Sequence, residues 1–324
     1  MVQVLDRQKS TLAGKVIPPR LRRGDSIGII SPGRWMSEED LATTCSHLER
    51  LGFKPQLHDQ NFQRLHQFAG SDHDRTVALQ SMLCDPNLKA VMFAKGGYGT
   101  LRILDDLDYQ CMANAPKIVI GFSDATALLI DLHRKANLVT YHGPMLYDLI
   151  EGIDSDTWKW FEAMMVNGEQ IKHSFDSSSG ARILRPGVGE GPLIGGSLTL
   201  LINLLCTDSD FSTDGRILFV EDDDEPLYSI DRMFVHLKRS GKLSNLKGLV
   251  VGQMRRISDN QIPFGYSVDE IVFEHCANTT FPIVAGFPFG HGSKQLIMPI
   301  GIQSLLEARA GSPVHFQLLE PPVS

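Results

Sequence analysis

The sequence predicts an α/β protein that has a doubly wound, mainly parallel sheet in its first half and a second, more β-rich α/β region after it. Short apolar segments alternate with helical segments through the first half, which is the pattern of a parallel sheet covered on both faces. The second half has more glycine-bounded apolar segments and fewer long helical ones. With 324 residues, 42% of them hydrophobic, the chain is long enough for two cores of ordinary size.

The elements of the first half begin with a strand and a capped helix. The apolar segment 26–31 predicts the strand, and the helix at 37–52 has Ser37 as a candidate N-cap and Gly52 as a stop. The elements predicted after them are, in order, a strand at 53–58, a helix at 71–85, a strand at 88–94, a glycine turn opening a helix at 95–107, a strand at 117–122, a helix at 124–136 and a strand at 138–144.

The pattern changes after residue 150. A helical segment at 155–169 is followed by a polar, turn-rich segment at 174–182, which is a candidate linker. Strand-like and helical segments then recur at 191–205, 215–226, 228–241 and 246–254, with short β-like segments near the end. We predict an N-terminal domain at 1–150, a linker region at 151–185 and a C-terminal domain at 186–324, with a cleft between the two domains.

The charge and hydropathy of the chain argue against several classes of protein. The net charge is −7 and the sequence pI is about 5.9, so no basic face for a nucleic acid is expected. No apolar run reaches the roughly 20 residues that span a bilayer. The first 25 residues lack the continuous apolar stretch of a secretory signal. We expect a cytoplasmic protein with an extension before its first strand.

The cysteines indicate neither a zinc site nor a cysteine nucleophile. Their number is odd, no two have the C-x-x-C spacing, and none lies in a glycine-rich corner. We expect reduced, mostly packed thiols, as is usual in the cytoplasm. The five residues are Cys45, Cys84, Cys111, Cys206 and Cys276.

Three corners follow predicted strands of the first half, and ligands of open parallel sheets bind at such corners. They are Ser31-Pro32-Gly33, Gly96-Gly97-Tyr98-Gly99 and Gly121-Phe122-Ser123-Asp124. In the third corner Ser123 stands between a strand and a helix, where the helix dipole favours developing negative charge. It matches the G-x-S-x-G nucleophile elbow except that Ala125 replaces the last glycine. A helix N-cap is the alternative for this serine.

The glycine corner at 96–99 has three interpretations. Adjacent glycines let backbone N–H groups point at an anion without interference from Cβ. An oxyanion hole, a phosphate cradle and a tight turn all fit. Neither the P-loop pattern nor the dinucleotide-binding fingerprint is present.

A serine nucleophile needs a base and an orienting carboxylate. Two of the 11 histidines lie in glycine-bounded corners, His142 and His291, and the local sequence does not choose between them. Glu221 follows an apolar strand and begins an acidic run that continues to Glu225. A solvated loop and a divalent metal site are the alternatives for that run.

Five segments together resemble the LD-carboxypeptidase family of serine peptidases, the murein tetrapeptide carboxypeptidases. They are "AKGGYG", "GFSDAT", "GGSLTLL", "LFVED" and "GFPFGHG", in the family's order within about residues 24–310. The resemblance implies a catalytic triad of Ser123, Glu221 and His291, with His291 rather than His142 as the base. It also implies that the backbone N–H groups of Gly97 and Asp124 form the oxyanion hole.

The resemblance implies hydrolysis of the L,D-amide bond that releases the terminal D-alanine of a murein tetrapeptide, for peptidoglycan recycling. It implies a muropeptide substrate, an acyl-enzyme, no metal or organic cofactor, and a homodimer. Because the triad comes from both halves of the chain, the active site is expected in the cleft between the domains. A microcin-C immunity peptidase with the same triad, a metal-dependent hydrolase and a nucleotide-binding module are the alternatives.

Two residues depart from the family pattern in ways that bear on substrate affinity. Lys95 stands where the family often has arginine, and Ser197 where it often has asparagine. The free carboxylate of a terminal D-alanine also needs a cation or backbone N–H groups to bind it. Arg34, Lys95 and Arg102 are candidates that the sequence does not rank.

Overall fold

The protein is described here by a computed structural model that covers residues 14–151 and 154–324. It contains a six-stranded and an eight-stranded sheet with helices interleaved along the chain, which confirms the predicted α/β class. Over these ranges, no helix is both long and apolar enough to cross a membrane. The predicted N-terminal extension falls largely on residues 1–13, which lie outside the described residues.

The strands and helices are numbered in chain order. The strands are β1 Ser26–Ile30, β2 Lys54–Leu57, β3 Leu88–Phe93, β4 Ile118–Gly121, β5 Thr140–His142, β6 Lys172–Phe175, β7 Arg182–Arg185, β8 Gly187–Ser197, β9 Ile217–Asp223, β10 Gly248–Arg255, β11 Ile283–Ala285, β12 Met298–Ile300, β13 Gln303–Ala308 and β14 Val314–Leu318. The helices are α1 Glu38–Arg50, α2 Asp72–Cys84, α3 Gln110–Asn114, α4 Thr126–Ala136, α5 Asp148–Glu151, α6 Ser155–Phe161, α7 Leu198–Leu204, α8 Leu227–Arg239 and α9 Val268–His275.

The first sheet has the strand order β12-β5-β4-β3-β1-β2. Strands β1 to β5 are parallel to one another, as predicted. All residues of β4 are buried, and so are most of β1 and β3. Such short, continuous apolar runs are typical of parallel strands that are buried on both faces. The sheet is completed by β12 from the second half of the chain, which pairs antiparallel to β5.

Local sequence signals account for the start of the first two helices. Ser37 caps α1 by accepting a hydrogen bond from the backbone N–H of Asp40 at 3.0 Å, as predicted. Ser71 and Asp74 form a reciprocal capping box at the start of α2. The helix predicted after the glycine turn at 95–107 is wrong, because two short 3₁₀ turns take its place.

The second sheet has the order β6-β14-β13-β8-β9-β10-β11-β7. Its four central strands, β8 to β11, are parallel, and antiparallel strands flank them on both sides. The two edge strands, β6 and β7, lie within the segment predicted as a linker region. The predicted domain limits at residues 150 and 186 stay predictions.

One pair of cysteines contradicts the expectation of reduced thiols. Cys84, at the end of α2, and Cys111, in α3, form a disulfide with their Cα atoms 5.4 Å apart. Cys45 and Cys276 are buried thiols, as expected, whereas Cys206 is exposed. The bonded pair is 27 residues apart in sequence and meets only because α2 packs on α3, so no local spacing indicates it.

Candidate active site

The corner between β4 and α4 holds Ser123 in a strained backbone conformation. Its φ is +57°, in the left-handed region, which costs a residue with a side chain roughly 1–2 kcal/mol. Ser123 is partly exposed, whereas Asp124 and Ala125 after it are buried. Ala125 occupies the N-cap position of α4. Ser123 is therefore not the helix cap that the sequence left as an alternative.

Small residues on both sides of the corner make this conformation possible. A Cβ at Gly121 would lie only 2.8 Å from the Cβ of Ala125, so these two positions cannot both carry side chains. Ala125 fits where the elbow pattern has its last glycine because Gly121 leaves the space. A strained, accessible serine between a strand and a helix is the geometry of a nucleophile elbow.

The glycine corner after β3 lies directly against Ser123. A Cβ on Gly96 would lie 3.1 Å from the Cβ of Ser123 and 3.2 Å from its Oγ. Gly97 has a φ of +113°, which residues with side chains rarely adopt. The backbone of this loop therefore comes closer to the serine hydroxyl than residues with larger side chains would allow.

The side chain of Asp124 anchors the glycine corner beside the serine. Its Oδ2 accepts hydrogen bonds from the backbone N–H of Thr100 at 2.9 Å and from the Thr100 hydroxyl at 2.7 Å, and its Oδ1 accepts one from the N–H of Gly99 at 3.2 Å. Burial raises the pKa of Asp124, and the bonds from Thr100 and Gly99 oppose that shift. The sequence indicated a role only for the backbone N–H of Asp124, so this anchoring carboxylate was not predicted.

A buried arginine joins the glycine corner to the first corner. The guanidinium of Arg75 donates hydrogen bonds to the carbonyl oxygens of Gly99, at 2.9 Å, and of Pro32. Its side chain is fully buried. Arg75 precedes Ala78 and Met82 on the buried face of α2. A charged residue on the apolar face of a predicted helix is the sequence signal that would have identified it.

The second half of the chain contributes a hydrogen-bonded imidazole and carboxylate. The Nδ1 atom of His291 lies 2.7 Å from Oε2 of Glu221. The Glu221 side chain is completely buried, whereas 22% of the His291 side chain is exposed. The His291 ring packs edge-on against Phe122, with 4.9 Å between the ring centroids. Because Phe122 directly precedes Ser123, this contact brings the imidazole to the serine corner.

The surroundings of His291 act on its pKa in opposite directions. Burial is the largest single effect and lowers the pKa, but the hydrogen bond and the charge of Glu221 raise it, and Asp223 and Asp222 raise it further. The net result is a raised pKa. His291 therefore becomes a neutral base only at a higher pH than an ordinary histidine.

His142, the other candidate base, lies behind the site. It is fully buried at the end of β5, and its ring contacts Phe122, Phe219 and Phe289 with centroid distances of 5.9, 5.5 and 5.9 Å. Neither of its ring nitrogens has a hydrogen-bond partner within the described part of the chain. Burial lowers its pKa to about 4. The structure thus separates two histidines that the local sequence could not.

The four acidic residues after Glu221 all line the cavity beside the serine, and one of them, Asp222, is buried. Asp222 accepts hydrogen bonds from the backbone N–H and the hydroxyl of Thr199 at 2.7 and 2.8 Å, and burial raises its pKa to about 6. Asp222 also contributes to the lining of the cavity, together with Asp223, Asp224 and Glu225. Among residues 14–151 and 154–324, no group of three or more His, Cys, Asp or Glu side chains is arranged to hold a metal ion.

Ser123 and His291 line the same cavity, which has a volume of about 590 Å³. This volume is typical of small-molecule sites, which range from roughly 300 to 1,000 Å³. A larger cavity of about 750 Å³ is lined by Gln253 and Gly292, and neither the serine nor the histidine contributes to it. The smaller cavity is the candidate active site because it holds the reactive groups.

The two halves of the chain meet at this cavity, where the sequence predicts the site. The hydroxyl oxygen of Thr126 accepts a hydrogen bond from the backbone N–H of Ser197 at 3.0 Å, which joins the start of α4 to the end of β8. Of the three candidate cations, Arg34 and Lys95 line the cavity. Arg102 instead pairs with Asp72, with its Nε 3.0 Å from both carboxylate oxygens.

Family profiles cover most of the chain. The profile described as the LD-carboxypeptidase N-terminal domain matches residues 27–143, and that of the LD-carboxypeptidase C-terminal domain matches residues 190–306. The probable murein peptide carboxypeptidase of Bacillus subtilis is 33% identical over 291 residues, which are 89% of this chain and 91% of that protein.

Solved structures agree with these matches. The muramoyltetrapeptide carboxypeptidase of Oxalobacter formigenes superposes with a TM-score of 0.81 at 30% identity, covering 91% of this chain and 99% of that one. The microcin C7 self-immunity protein MccF, bound to glutamyl sulfamoyl guanosine, superposes with a TM-score of 0.86 at 21% identity over 95% of this chain and 99% of that one, which shows a shared fold. The resemblance found in the sequence is confirmed, and the chain belongs to the LD-carboxypeptidase family.

Proposed function

We propose that this protein is a serine-type LD-carboxypeptidase that releases the terminal D-alanine of murein tetrapeptides by hydrolysing an L,D-amide bond. The observation that supports this most is the arrangement around one cavity. Ser123 and His291 both line it, and Glu221 binds His291 from the buried side. The Bacillus subtilis and Oxalobacter formigenes relatives, a probable murein peptide carboxypeptidase and a muramoyltetrapeptide carboxypeptidase, support the choice of a muropeptide substrate.

The hydrogen bond to Glu221 assigns the proton on the imidazole. A carboxylate only accepts hydrogen bonds, so Nδ1 of His291 carries the proton and Nε2 is the free base. In the proposed first step, Nε2 takes the hydroxyl proton of Ser123 while Oγ attacks the carbonyl carbon of the scissile amide. Glu221 then stabilises the imidazolium that forms.

The oxyanion of the tetrahedral intermediate needs donors that are already in position. We propose the backbone N–H groups of Gly97 and Asp124, which flank the serine on two sides. The Asp124 carboxylate supports this arrangement because it fixes the glycine corner through Gly99 and Thr100. Losing one such donor typically lowers the rate by a factor on the order of 10²–10³.

The same imidazole completes both halves of the proposed reaction. His291 gives its proton to the amine of the departing D-alanine, which breaks the C–N bond and leaves an acyl-enzyme on Ser123. Water then gives a proton to His291 while its oxygen attacks the ester carbonyl. When the C–Oγ bond breaks, His291 returns that proton to the oxygen of Ser123, and the shortened peptide leaves with a new terminal carboxyl group. No metal or organic cofactor takes part in this scheme.

A Ser123→Ala variant tests the proposed function. It is expected to keep the circular-dichroism spectrum and melting temperature of the wild type within about 2 °C, because the side chain is small and partly exposed. Its release of D-alanine from the murein tetrapeptide should be almost abolished, while the wild type should leave an all-L analogue intact. Near-native turnover by the variant would refute the serine mechanism.

Two further arms separate the alternatives. Loss of wild-type activity in a chelator, restored by metal, would favour a metal-dependent hydrolase. Cleavage of an acyl-sulfamoyl nucleoside in preference to the tetrapeptide would favour a self-immunity peptidase. We expect neither result, because Ser123, His291 and Glu221 supply the groups that a serine mechanism needs, and the likeness to MccF is one of fold.

A cytoplasmic location, a role in peptidoglycan recycling and a homodimeric state belong to the same proposal. The disulfide between Cys84 and Cys111 argues against the cytoplasmic location, because the cytoplasm keeps most thiols reduced. Size-exclusion chromatography with light scattering tests the dimer, and a single mass of about 36 kDa would contradict it.

A further inference from the structure

We propose that Arg34 and Lys95 together bind the terminal carboxylate of the substrate and so make the enzyme cleave only at the end of a peptide. This inference rests on the proposed function and adds the residues that recognise the leaving group.

The side-chain contacts of the basic residues in the cavity separate them into two groups. Four basic residues line the cavity: Arg34, Lys95, Arg255 and Arg256. Arg256 is held by Asp223, with its Nε 3.1 Å from Oδ1. The guanidinium of Arg255 donates a hydrogen bond to the backbone carbonyl of His291. Like Arg255, Arg34 and Lys95 have no carboxylate of the described chain within ion-pair distance. Unlike Arg255, which is held by the His291 carbonyl, Arg34 and Lys95 have no side-chain hydrogen bond to another described residue. Their charges remain available to a ligand.

Both available cations lie beside the glycine corner. A Cβ on Gly97 would lie 2.5 Å from Cδ of Arg34 and 3.0 Å from its Nε, so the arginine side chain lies across the glycine backbone. Lys95 directly precedes Gly96, and its Nζ lies 4.0 Å from the centroid of the Tyr147 ring. That contact holds the ammonium group on the wall of the cavity rather than in open solvent.

The geometry of a peptide bond brings a terminal carboxylate to this place. In a trans amide, the carbonyl oxygen and the following Cα lie on the same side of the C–N bond. When that oxygen binds the N–H of Gly97, the Cα of the leaving D-alanine points towards the same rim of the cavity. Its carboxylate, one bond further on, then meets cations that flank the oxyanion hole.

Negative charges on another part of the cavity wall favour one orientation of the bound peptide. Asp222, Asp223, Asp224 and Glu225 form an acidic part of the lining, and Asp148, which follows Tyr147 in sequence, lines the cavity as well. A terminal carboxylate placed among them would face like charges, whereas beside Arg34 it meets opposite ones. The distribution of charge therefore orients the leaving group towards the glycine corner.

A comparison of two substrates measures this recognition directly. The first is the murein tetrapeptide that ends in D-alanine, and the second is the same peptide that ends in D-alaninamide, which lacks the negative charge. For Arg34→Gln and Lys95→Gln we expect kcat/KM on the carboxylate substrate to fall roughly 10- to 100-fold, mainly through KM. On the amide substrate, kcat/KM should change less than about threefold, because the pairing is already absent.

Matched variants give the comparison its controls. Lys95→Arg keeps the charge and should keep the preference for the carboxylate. Arg102→Gln removes the third candidate cation, which lies outside the cavity lining, and should also leave the preference unchanged. In a Ser123→Ala background, calorimetry should show weaker binding of the carboxylate peptide when Arg34 is replaced as well, without the complication of turnover.

The outcomes distinguish this inference from the function on which it rests. If Arg34→Gln and Lys95→Gln reduce cleavage of both substrates equally, the two residues have a structural role and the inference is wrong. If both variants keep the wild-type preference, it is also wrong, while the carboxypeptidase function stands. A wild type that releases nothing from either peptide would overturn the proposed function and this inference with it.

Discussion

Replacing Glu221 with glutamine removes the negative charge that lies behind His291 and keeps the shape of the side chain. The carboxylate is completely buried and its Oε2 lies 2.7 Å from Nδ1 of His291. A hydrogen bond to a charged group contributes about 1.5–3 kcal/mol, or roughly 10- to 150-fold in rate, when the imidazolium forms. The amide can also donate to Nδ1, which would move the ring proton to Nε2 and block the base. An aspartate-to-asparagine change in a related triad lowers kcat by about 10⁴ for this reason.

We therefore expect kcat/KM of Glu221→Gln to fall by about 10²–10⁴. The pH profile should move as well. In the wild type, the raised pKa of His291 limits activity on the acid side, so activity should rise with pH above the ordinary histidine pKa of about 6.5. Without the Glu221 charge, burial is the main remaining influence and lowers the pKa. The acid limb of the residual activity should then shift to lower pH.

The assay is D-alanine release from the tetrapeptide between about pH 5 and pH 9, with kcat/KM fitted at each pH. Asp231→Asn is the matched control, since it removes a carboxylate that also pairs with a histidine, with 2.7 Å between its Oδ1 and Nε2 of His275, and neither residue lines the cavity. We expect the control to keep activity within about fivefold and to keep the acid limb in place. A Glu221→Gln enzyme with more than a tenth of wild-type activity, or with an unmoved acid limb, would refute the assignment of Glu221.

Three further predictions concern residues around the triad. His142→Ala should lower the free energy of unfolding in urea by about 2–4 kcal/mol, because it opens a cavity among buried aromatic rings. Its kcat should nevertheless fall less than about tenfold. A loss of kcat equal to that of His291→Ala would reopen the choice of base. Asp124→Ala should lower kcat by about 10²–10³ with little change in KM, since the glycine corner loses its anchor; unchanged kcat would contradict an oxyanion role for that corner. The non-reduced, denatured protein should show three alkylated thiols by mass spectrometry rather than five, and five would exclude the disulfide. Cys84→Ser should lower the free energy of unfolding by about 3–4 kcal/mol, because the unfolded chain is then no longer closed into a loop.

Much of the fold was predictable because its buried strands are visible in the local sequence as short apolar segments. Strands β1, β3, β4 and β9 each contain a buried apolar stretch, and the helices between them begin at caps such as Ser37 and Ser71. The corner of Ser123 was predictable for the same reason, since it lies between a strand and a helix that are both clear in the sequence.

The rest of the site depends on contacts between distant parts of the chain. His142 and His291 stand in similar glycine-bounded corners, and they are distinguished by the burial of His142 and by the bond of His291 to Glu221, 70 residues away. The Asp124 carboxylate was missed because its partners belong to another corner, at Gly99 and Thr100. The sequence also could not rank the three candidate cations for the substrate carboxylate. Arg102 is excluded as a carboxylate-binding residue only by its pairing with Asp72 of α2.

The first sheet is completed by a strand that is synthesised late, because β12 pairs antiparallel with β5. Met298 pairs with His142, and the pairing continues to Ile300 and Thr140. A fragment that stopped before residue 298 would leave β5 as an open edge, with unpaired backbone groups that invite association with other chains. The nucleophile-bearing half thus acquires its last strand only after residues 298–300 have been made, a few residues beyond the histidine that it needs as a partner.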